Sequence, residues 1–199
     1  AAGDTNASND ADSLSIRAPV VITTTTRYLE DFETNPGGWL VSGTNADWAW
    51  GVVPTTGGSF IRSADSGSRA FVTAPGADYQ PDQSSFLTSP CFDTSAFTAD
   101  PEISFSRLFE LEATNDHVFV ESSTDGGSTW TKLGAFGTGT NWYNDLSGDF
   151  WDGLSGFPNA WARASNTLTG AAGQIGVRVR FAMVSNAASI EEDGFGLDD

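Results

Sequence analysis

Two neighbouring carboxylates are the residues of this chain whose type and spacing could do chemistry. Asp31 and Glu33 are two positions apart in a predicted strand over residues 28–33, and the two-residue period of a strand places both on one face. Their α-carbons would be roughly 7 Å apart, so both could reach one calcium ion, a hard cation that prefers oxygen ligands. The alternative is that both are solvated surface acids.

Two further acids lie in turn-like segments. Asp47 precedes Trp48, and Asp65 lies within residues 63–68, which are rich in Ser and Gly. Each could supply another ligand, because loops rich in Asp, Asn and Gly suit calcium. The alternative is that each carboxylate caps its own turn.

Residues of the common catalytic sites are scarce. His117 is the only histidine and Cys91 the only cysteine, so neither a histidine-based triad nor a histidine-rich zinc site has support. No phosphate loop, dinucleotide fingerprint or zinc-protease motif occurs. We therefore expect no catalytic activity. The alternative is an enzyme that cleaves glycans with two carboxylates, although 26 acids would supply such a pair by chance.

Aromatic residues gather in an irregular stretch over residues 141–153. Trp142, Tyr143 and Trp151 alternate there with Asn, Asp and Gly, a composition suited to stacking on sugar rings and bonding their hydroxyls. These three residues are the candidate ligand-binding site. The alternative is that the rings anchor a long loop onto the fold.

The charge balance excludes some partners. The chain has 9 basic and 26 acidic residues and a formal net charge of -17, which repels phosphate backbones and anionic lipid headgroups. No apolar stretch approaches the roughly 20 residues of a membrane span. We expect neither nucleic acid binding nor membrane insertion.

Short alternating segments separated by Gly, Asn, Asp and Pro predict an all-β fold. The strongest pattern places Ile175, Val177, Val179 and Phe181 on one face of a strand. Residues 123–130 match an Asp-box hairpin, in which Asp125 folds back on its own turn. The predicted strands cover residues 28–33, 39–41, 48–53, 69–73, 85–88, 103–111, 117–122, 129–133, 161–168, 175–184 and 194–199.

The composition of the sequence changes near its start. Residues 1–22 form a polar, turn-rich opening that ends in Val20, Val21 and Ile22, and residues 23–27 contain four consecutive threonines suited to an extended connector. We predict that residues 1–22 are the remnant of an upstream module or a linker, and that residues 28–199 form the main domain.

Several segments stand in a fixed order along the chain: 29–33, 38–39, 85–90, 103–105, 120–130, 179–181 and 193–199. This ordered set resembles the cleaved-adhesin and MAM-like jelly-roll modules of bacterial secreted proteases and surface adhesins. Residues 3–10 are similar to the closing turn of immunoglobulin-like repeats.

The resemblance implies a two-sheet antiparallel jelly-roll sandwich whose first and last strands lie side by side. It also implies a calcium ion held by the opening and closing motifs, so Asp198 and Asp199 join Asp31 and Glu33 as candidate ligands. The family pattern continues into an apolar strand where this sequence stops, at Asp199.

The expected function is that of a non-catalytic, secreted or cell-surface module. It would serve adhesion, carbohydrate binding or placement of a neighbouring catalytic domain. The expected partners are a glycan, a protein of the host or cell surface, and other domains of the same precursor.

Overall fold

All regular secondary structure in the described part of the chain is β-strand. A computed structural model describes residues 18–187 and 192–199. No helix in these residues is long and apolar enough to cross a membrane. The expected all-β fold is confirmed. Its strands are β1 (Val20–Val21), β2 (Leu40–Thr44), β3 (Trp48–Val52), β4 (Arg69–Thr73), β5 (Ser84–Thr88), β6 (Phe92–Asp93), β7 (Glu102–Glu110), β8 (His117–Ser123), β9 (Thr131–Lys132), β10 (Ala162–Thr167), β11 (Arg178–Val184) and β12 (Gly194–Asp198).

The strands form two antiparallel sheets of five strands each. Sheet I has the order β10-β7-β12-β4-β3, and sheet II has the order β2-β5-β11-β8-β9. Strands β1 and β6 form a separate, short parallel pair. This arrangement is the two-sheet antiparallel jelly-roll sandwich that the sequence predicts.

Aromatic side chains of both sheets meet in the core. Phe105 of β7 and Phe181 of β11 pack edge to face, with ring centroids 4.8 Å apart, and so join sheet I to sheet II. Phe109 and Phe195 stack within sheet I at 5.8 Å. All four side chains are buried. Each contributes about 1.5–3 kcal/mol by leaving water, so this ring layer is a main source of stability.

Strand β11 confirms most of the predicted alternation. Val177, Val179 and Phe181 are buried in the core, while Arg178 and Arg180 project from the opposite face. The expectation for Ile175 is wrong, because this side chain is 70% exposed. The strand begins only at Arg178, so the pattern was extended too far toward the N-terminus.

The predicted strand over residues 28–33 is wrong. Phe32 has a positive φ of 55°, which no regular strand contains. The N–H of Phe32 donates to Glu30 Oε1, and the N–H of Glu33 donates to Asp31 Oδ1, both at 3.1 Å. Local carboxylates thus bind the amides that a ladder would have bound, and Asp31 and Glu33 do not share a strand face.

The last strand does not pair with the opening segment. β12 pairs with β7 on one side and with β4 on the other, so the expectation of adjacent first and last strands is wrong. Its start is tightly packed. Gly194 has a φ of +89°, and a Cβ there would stand 1.9 Å from Thr73 Oγ1, so only glycine fits.

Carboxylates anchor the long connection between β3 and β4, which spans residues 53–68. Asp193 accepts hydrogen bonds from the backbone N–H groups of residues 59–61, and Asp198 accepts those of residues 65 and 66. The connection contains no strand of its own. Side chains from β12 and the residue before it therefore replace the missing ladder partners.

The segment before the main domain is attached to it. The N–H of Val20 donates to the carbonyl of Cys91 at 2.7 Å, and the N–H of Ile22 donates to that of Asp93 at 2.9 Å. Ile22 also packs against the main core. Residues 1–17 lie outside the described part, and the assignment of 1–22 to another module stays a prediction.

Candidate functional site

The predicted metal ligands converge partly, at one end of sheet I. Asp198 is fully buried, and its Oδ2 accepts the N–H groups of Asp65 at 3.0 Å and Ser66 at 3.1 Å. Burial, with a smaller contribution from the charge of neighbouring Asp199, raises the pKa of Asp198 to about 6. A buried carboxylate next to a second acid is a group that a cation would stabilise.

Glu33 lies against the same connection. Its carboxylate accepts the N–H groups of Ser68 at 2.9 Å and Arg69 at 2.7 Å, and these bonds lower the pKa of Glu33. The side chain also fills the space beside Gly67, where a Cβ would stand 2.3 Å from the Glu33 carboxyl carbon. Glu33 and Asp198 thus hold adjacent parts of one loop.

A cleft of about 850 Å³ opens between the sheets at this end. Asp31, Asp198 and Asp199 line it together with Glu30, and its apolar walls include Phe105. Burial raises the pKa of Glu30, and the charge of Asp31 adds to the effect. The structure thus brings acids of the opening and closing motifs to one cleft.

Asp47 does not join this group. It accepts hydrogen bonds from the N–H of Gln80 at 3.0 Å and from Nε2 of Gln83 at 2.6 Å. The residue next to it pairs with Thr73, at the far end of β4 from Arg69, so roughly 13 Å of strand separates Asp47 from the cleft acids. The prediction that Asp47 binds the same ion as the cleft acids is therefore wrong.

The candidate ligands are not arranged to hold a metal ion with carboxylates alone. Among the described residues, no group of three or more His, Cys, Asp and Glu side chains lies close enough together to hold a metal ion. The carboxylates of Glu33 and Asp198 accept backbone amides, and Asp65 is exposed and contributes its own N–H. An ion here would need carbonyl and water oxygens besides.

The predicted aromatic platform is buried. Trp142, Tyr143 and Trp151 are 2%, 5% and 0% exposed, so none offers a ring face to a sugar. Their polar atoms bond inward: Trp142 Nε1 and the Tyr143 hydroxyl each donate to the carbonyl of Leu133 at 2.9 Å. In this arrangement the three rings anchor the loop, which corrects their assignment as ligand-binding residues.

A buried cation supports the same loop. Arg107 of β7 donates from Nη2 to the carbonyl of Asn141 at 3.1 Å and lies over the rings of Phe109 and Trp151. Its Nη1 is buried and has no hydrogen-bond partner among the described residues, and burial lowers the pKa of Arg107 to about 10. The loop thus rests on a desolvated guanidinium as well as on rings.

The outward side of sheet II has a feature that the sequence prediction missed. Because side chains alternate along a strand, even-numbered residues of β5 and β11 and odd-numbered residues of β8 share this side. Partly exposed rings and basic groups meet there. We call this surface the ring–cation face; it consists of Phe86, Phe119, Trp130, Lys132, Phe150 and Arg180.

Arg180 is the centre of the ring–cation face. Its guanidinium carbon lies 3.9 Å from the ring centroid of Phe86 and 4.3 Å from that of Trp130. Nε donates to Glu121 Oε2 at 2.6 Å. The two Nη atoms make no hydrogen bond with any described residue, so donors remain available at the end of a fixed guanidinium.

Lys132 and Phe150 form the part of the ring–cation face that is nearest to the 141–153 loop, and His117 packs beside them. Lys132 Nζ lies 4.3 Å from the ring centroid of Phe119 and donates to the carbonyl of Gly148 at 2.8 Å. The His117 ring stacks on Phe150 at 4.4 Å, and burial lowers the pKa of His117. The loop therefore contributes Phe150 to the face, although its other rings are buried.

The Asp-box hairpin holds Trp130 in place. The Thr129 hydroxyl donates to Asp125 Oδ2 at 2.6 Å, and the N–H groups of Thr129 and Ser128 donate to Oδ1, each at 2.9 Å. These bonds lower the pKa of Asp125. The prediction that this aspartate is used by its own turn is confirmed. The period-two pattern of β8 and β11 could have located the face, had the outward positions been compared across strands.

Comparisons with known proteins place the fold. No family model matches the chain. Bacillopeptidase F of Bacillus subtilis strain 168 is 28% identical over 175 residues, which are 88% of this chain but 10% of that protein. The chain thus spans about a tenth of the length of the curated relative it matches.

Two solved structures are similar to this chain at low sequence identity. The K2 cleaved adhesin domain of Lys-gingipain, a protein of Porphyromonas gingivalis W83, is 17% identical with a TM-score of 0.50, over 86% of this chain and 94% of that one. A family 22 carbohydrate-binding module of Clostridium thermocellum Xyn10B is 15% identical with a TM-score of 0.46, over 86% and 89%. The predicted resemblance to cleaved adhesin modules is confirmed for the fold.

Proposed function

We propose that this domain is a non-catalytic, extracellular binding module that takes a carbohydrate on the ring–cation face. The observation that carries the proposal is the row of partly exposed rings around Arg180, on the outer side of sheet II. Ring edges and faces suit the C–H surfaces of sugars, while Glu121, Lys132 and the Arg180 Nη atoms offer hydrogen bonds to hydroxyls.

The parent protein would use such a module beside other domains. Bacillopeptidase F is by name a peptidase, and this chain matches a tenth of it. That share supports an accessory role in which the module places a neighbouring catalytic domain or attaches it to a surface. Binding to a protein of the host or cell surface is the second candidate, because exposed Trp and Arg side chains also suit protein interfaces.

Calcium stabilisation is a further part of the proposal. It is supported by the raised pKa of Asp198 and by the presence of Asp31 and Asp199 at the same cleft. The described carboxylates alone do not complete a coordination shell. Backbone carbonyls and water would have to supply the remaining oxygens.

A glycan array tests the binding function. Trp130→Ala and Phe86→Ala remove rings from the ring–cation face, and we expect each to lower glycan affinity by about tenfold or more. Phe157→Ala is the matched control, because Phe157 is 83% exposed and lies outside the face. Equal binding by all four proteins would contradict the assignment of the face. Turnover of a bound glycan would favour the glycan-cleaving alternative.

A further inference from the structure

Three basic residues of this acidic protein lie on the outward side of sheet II. Arg178, Arg180 and Lys132 are three of the nine basic residues, and the register places them on β11 and β9 around Glu121. The chain as a whole has a net charge of -17. An anionic ligand would meet these positive charges locally, against the repulsion of the net negative charge.

Nearby acids are already engaged. Glu121 pairs with Arg180 Nε at 2.6 Å, and Asp125 accepts the hydrogen bonds of its own turn. Asp149 lies near Lys132 and accepts the N–H of Phe136 at 2.7 Å. The free Nη donors of Arg180 therefore have no competing carboxylate among their described hydrogen-bond partners.

Two donor groups of the Arg180 guanidinium are unused among the described residues. The rings of Phe86 and Trp130 lie 3.9 and 4.3 Å from the guanidinium carbon, and Glu121 accepts the hydrogen bond of Nε. The two Nη groups form the remaining edge, and a paired N–H edge matches the two oxygens of a carboxylate. Because the rings hold the plane of the guanidinium, less entropy is lost on binding.

A second basic group lies along the same surface. Lys132 stands on β9, two strands from Arg180, which corresponds to roughly 10 Å across the sheet. Its ammonium donates to the carbonyl of Gly148, and an ammonium has three donors. Two cations with rings between them suit an extended ligand that combines sugar rings and acidic groups.

We propose that the ring–cation face selects an acidic oligosaccharide, with the carboxylate of a uronic acid unit bound by the Nη edge of Arg180. The inference rests on the proposed function and names the ligand class of the same site. Lys132 would attract the neighbouring part of the chain. The neutral sugar ring would contact Trp130 and Phe86, which also fix the guanidinium.

The test compares an oligogalacturonate with its methyl ester by titration calorimetry at low and high salt. The ester keeps the sugar rings and removes the charge. We expect the acid to bind at least about tenfold more tightly than the ester, and this advantage to shrink with salt. Arg180→Lys keeps the charge but lacks the paired edge, so most of the advantage should vanish in it.

Two variants keep the outcome interpretable. Lys132→Gln removes an exposed charge of the face and should lower affinity for the acid more than for the ester, even if Arg180→Lys is poorly folded. Arg62→Gln removes an exposed charge outside the face and should change neither affinity. Equal binding of acid and ester overturns the acidic-sugar inference and leaves the proposed function standing. The inference is also overturned if the protein binds a sulfated oligosaccharide but not the oligogalacturonate. If the protein binds no oligosaccharide, both the inference and the proposed function are refuted.

Discussion

The titration of Asp198 gives a sharp test of how the acidic end of sheet I is stabilised. Burial raises its pKa to about 6 in the folded protein, whereas an aspartate in an unfolded chain titrates near 3.9. The folded state therefore holds this proton more tightly than the unfolded state. The associated stability is fully present below about pH 4 and is lost as the pH rises through 6.

The size of the effect follows from the difference between the two pKa values. A shift of about 2 units corresponds to about 3 kcal/mol as an upper limit, because each unit is worth about 1.4 kcal/mol. Burial also raises the pKa of Glu30, Asp47, Glu110 and Glu192, so these groups make the free energy of unfolding fall with pH as well. The lowered pKa of His117 acts in the opposite direction. Asp198→Asn should remove only the part that belongs to Asp198.

Urea unfolding at intervals between pH 4 and pH 8 measures this slope. Wild-type protein should lose more unfolding free energy over the range than Asp198→Asn. The variant loses the bond from the Asp199 N–H, but that cost is the same at every pH. Asp65→Asn is the control, because it changes an exposed carboxylate at the same end and leaves Asp198 in place.

Calcium should change the same pH dependence of the free energy of unfolding. An ion bound near ionised Asp198 favours the charged form, so millimolar calcium should flatten the wild-type profile and a chelator should restore it. Identical wild-type and Asp198→Asn profiles would refute the reasoning about burial. A wild-type profile that is the same with calcium and with chelator would refute the calcium proposal alone.

Three further outcomes are expected. Trp151→Ala should lower the free energy of unfolding by about 3–5 kcal/mol, measured in urea, while glycan binding by the remaining folded protein is unchanged. Deleting residues 1–22 should leave a folded domain with a lower melting temperature, because Ile22 packs on the core; an unchanged melting temperature would show that this contact is dispensable. Gly194→Ala should cost more than about 3 kcal/mol by calorimetry, whereas little change would mean that Thr73 can move away.

Strand positions were largely predictable because period-two patterns carry that information. Residues 69–73 were predicted exactly as β4 is observed, and the alternation of Val179 and Phe181 correctly predicted the buried face of β11. The predicted strand over residues 28–33 does not form, and the reason is local. Their carboxylates bond to nearby amides, and no hydrophobic pattern reports that competition.

The site was harder to predict because burial depends on contacts between distant segments. Trp142 and Trp151 lie in an irregular stretch, and only the tertiary structure shows that they pack against Phe105. The ring–cation face likewise joins residues of different strands, such as Phe86 and Arg180. Each strand alone shows an ordinary outward polar or aromatic position.

The carboxylate anchors of the 53–68 connection bear on the order of folding. The bonds from its amides to Asp193 and Asp198 join residues that are 132–134 positions apart in sequence. During synthesis from the N-terminus, this connection leaves the ribosome long before its anchors exist. Contacts of such separation close late and slow folding. The connection would therefore stay accessible to proteases and chaperones until β12 is in place.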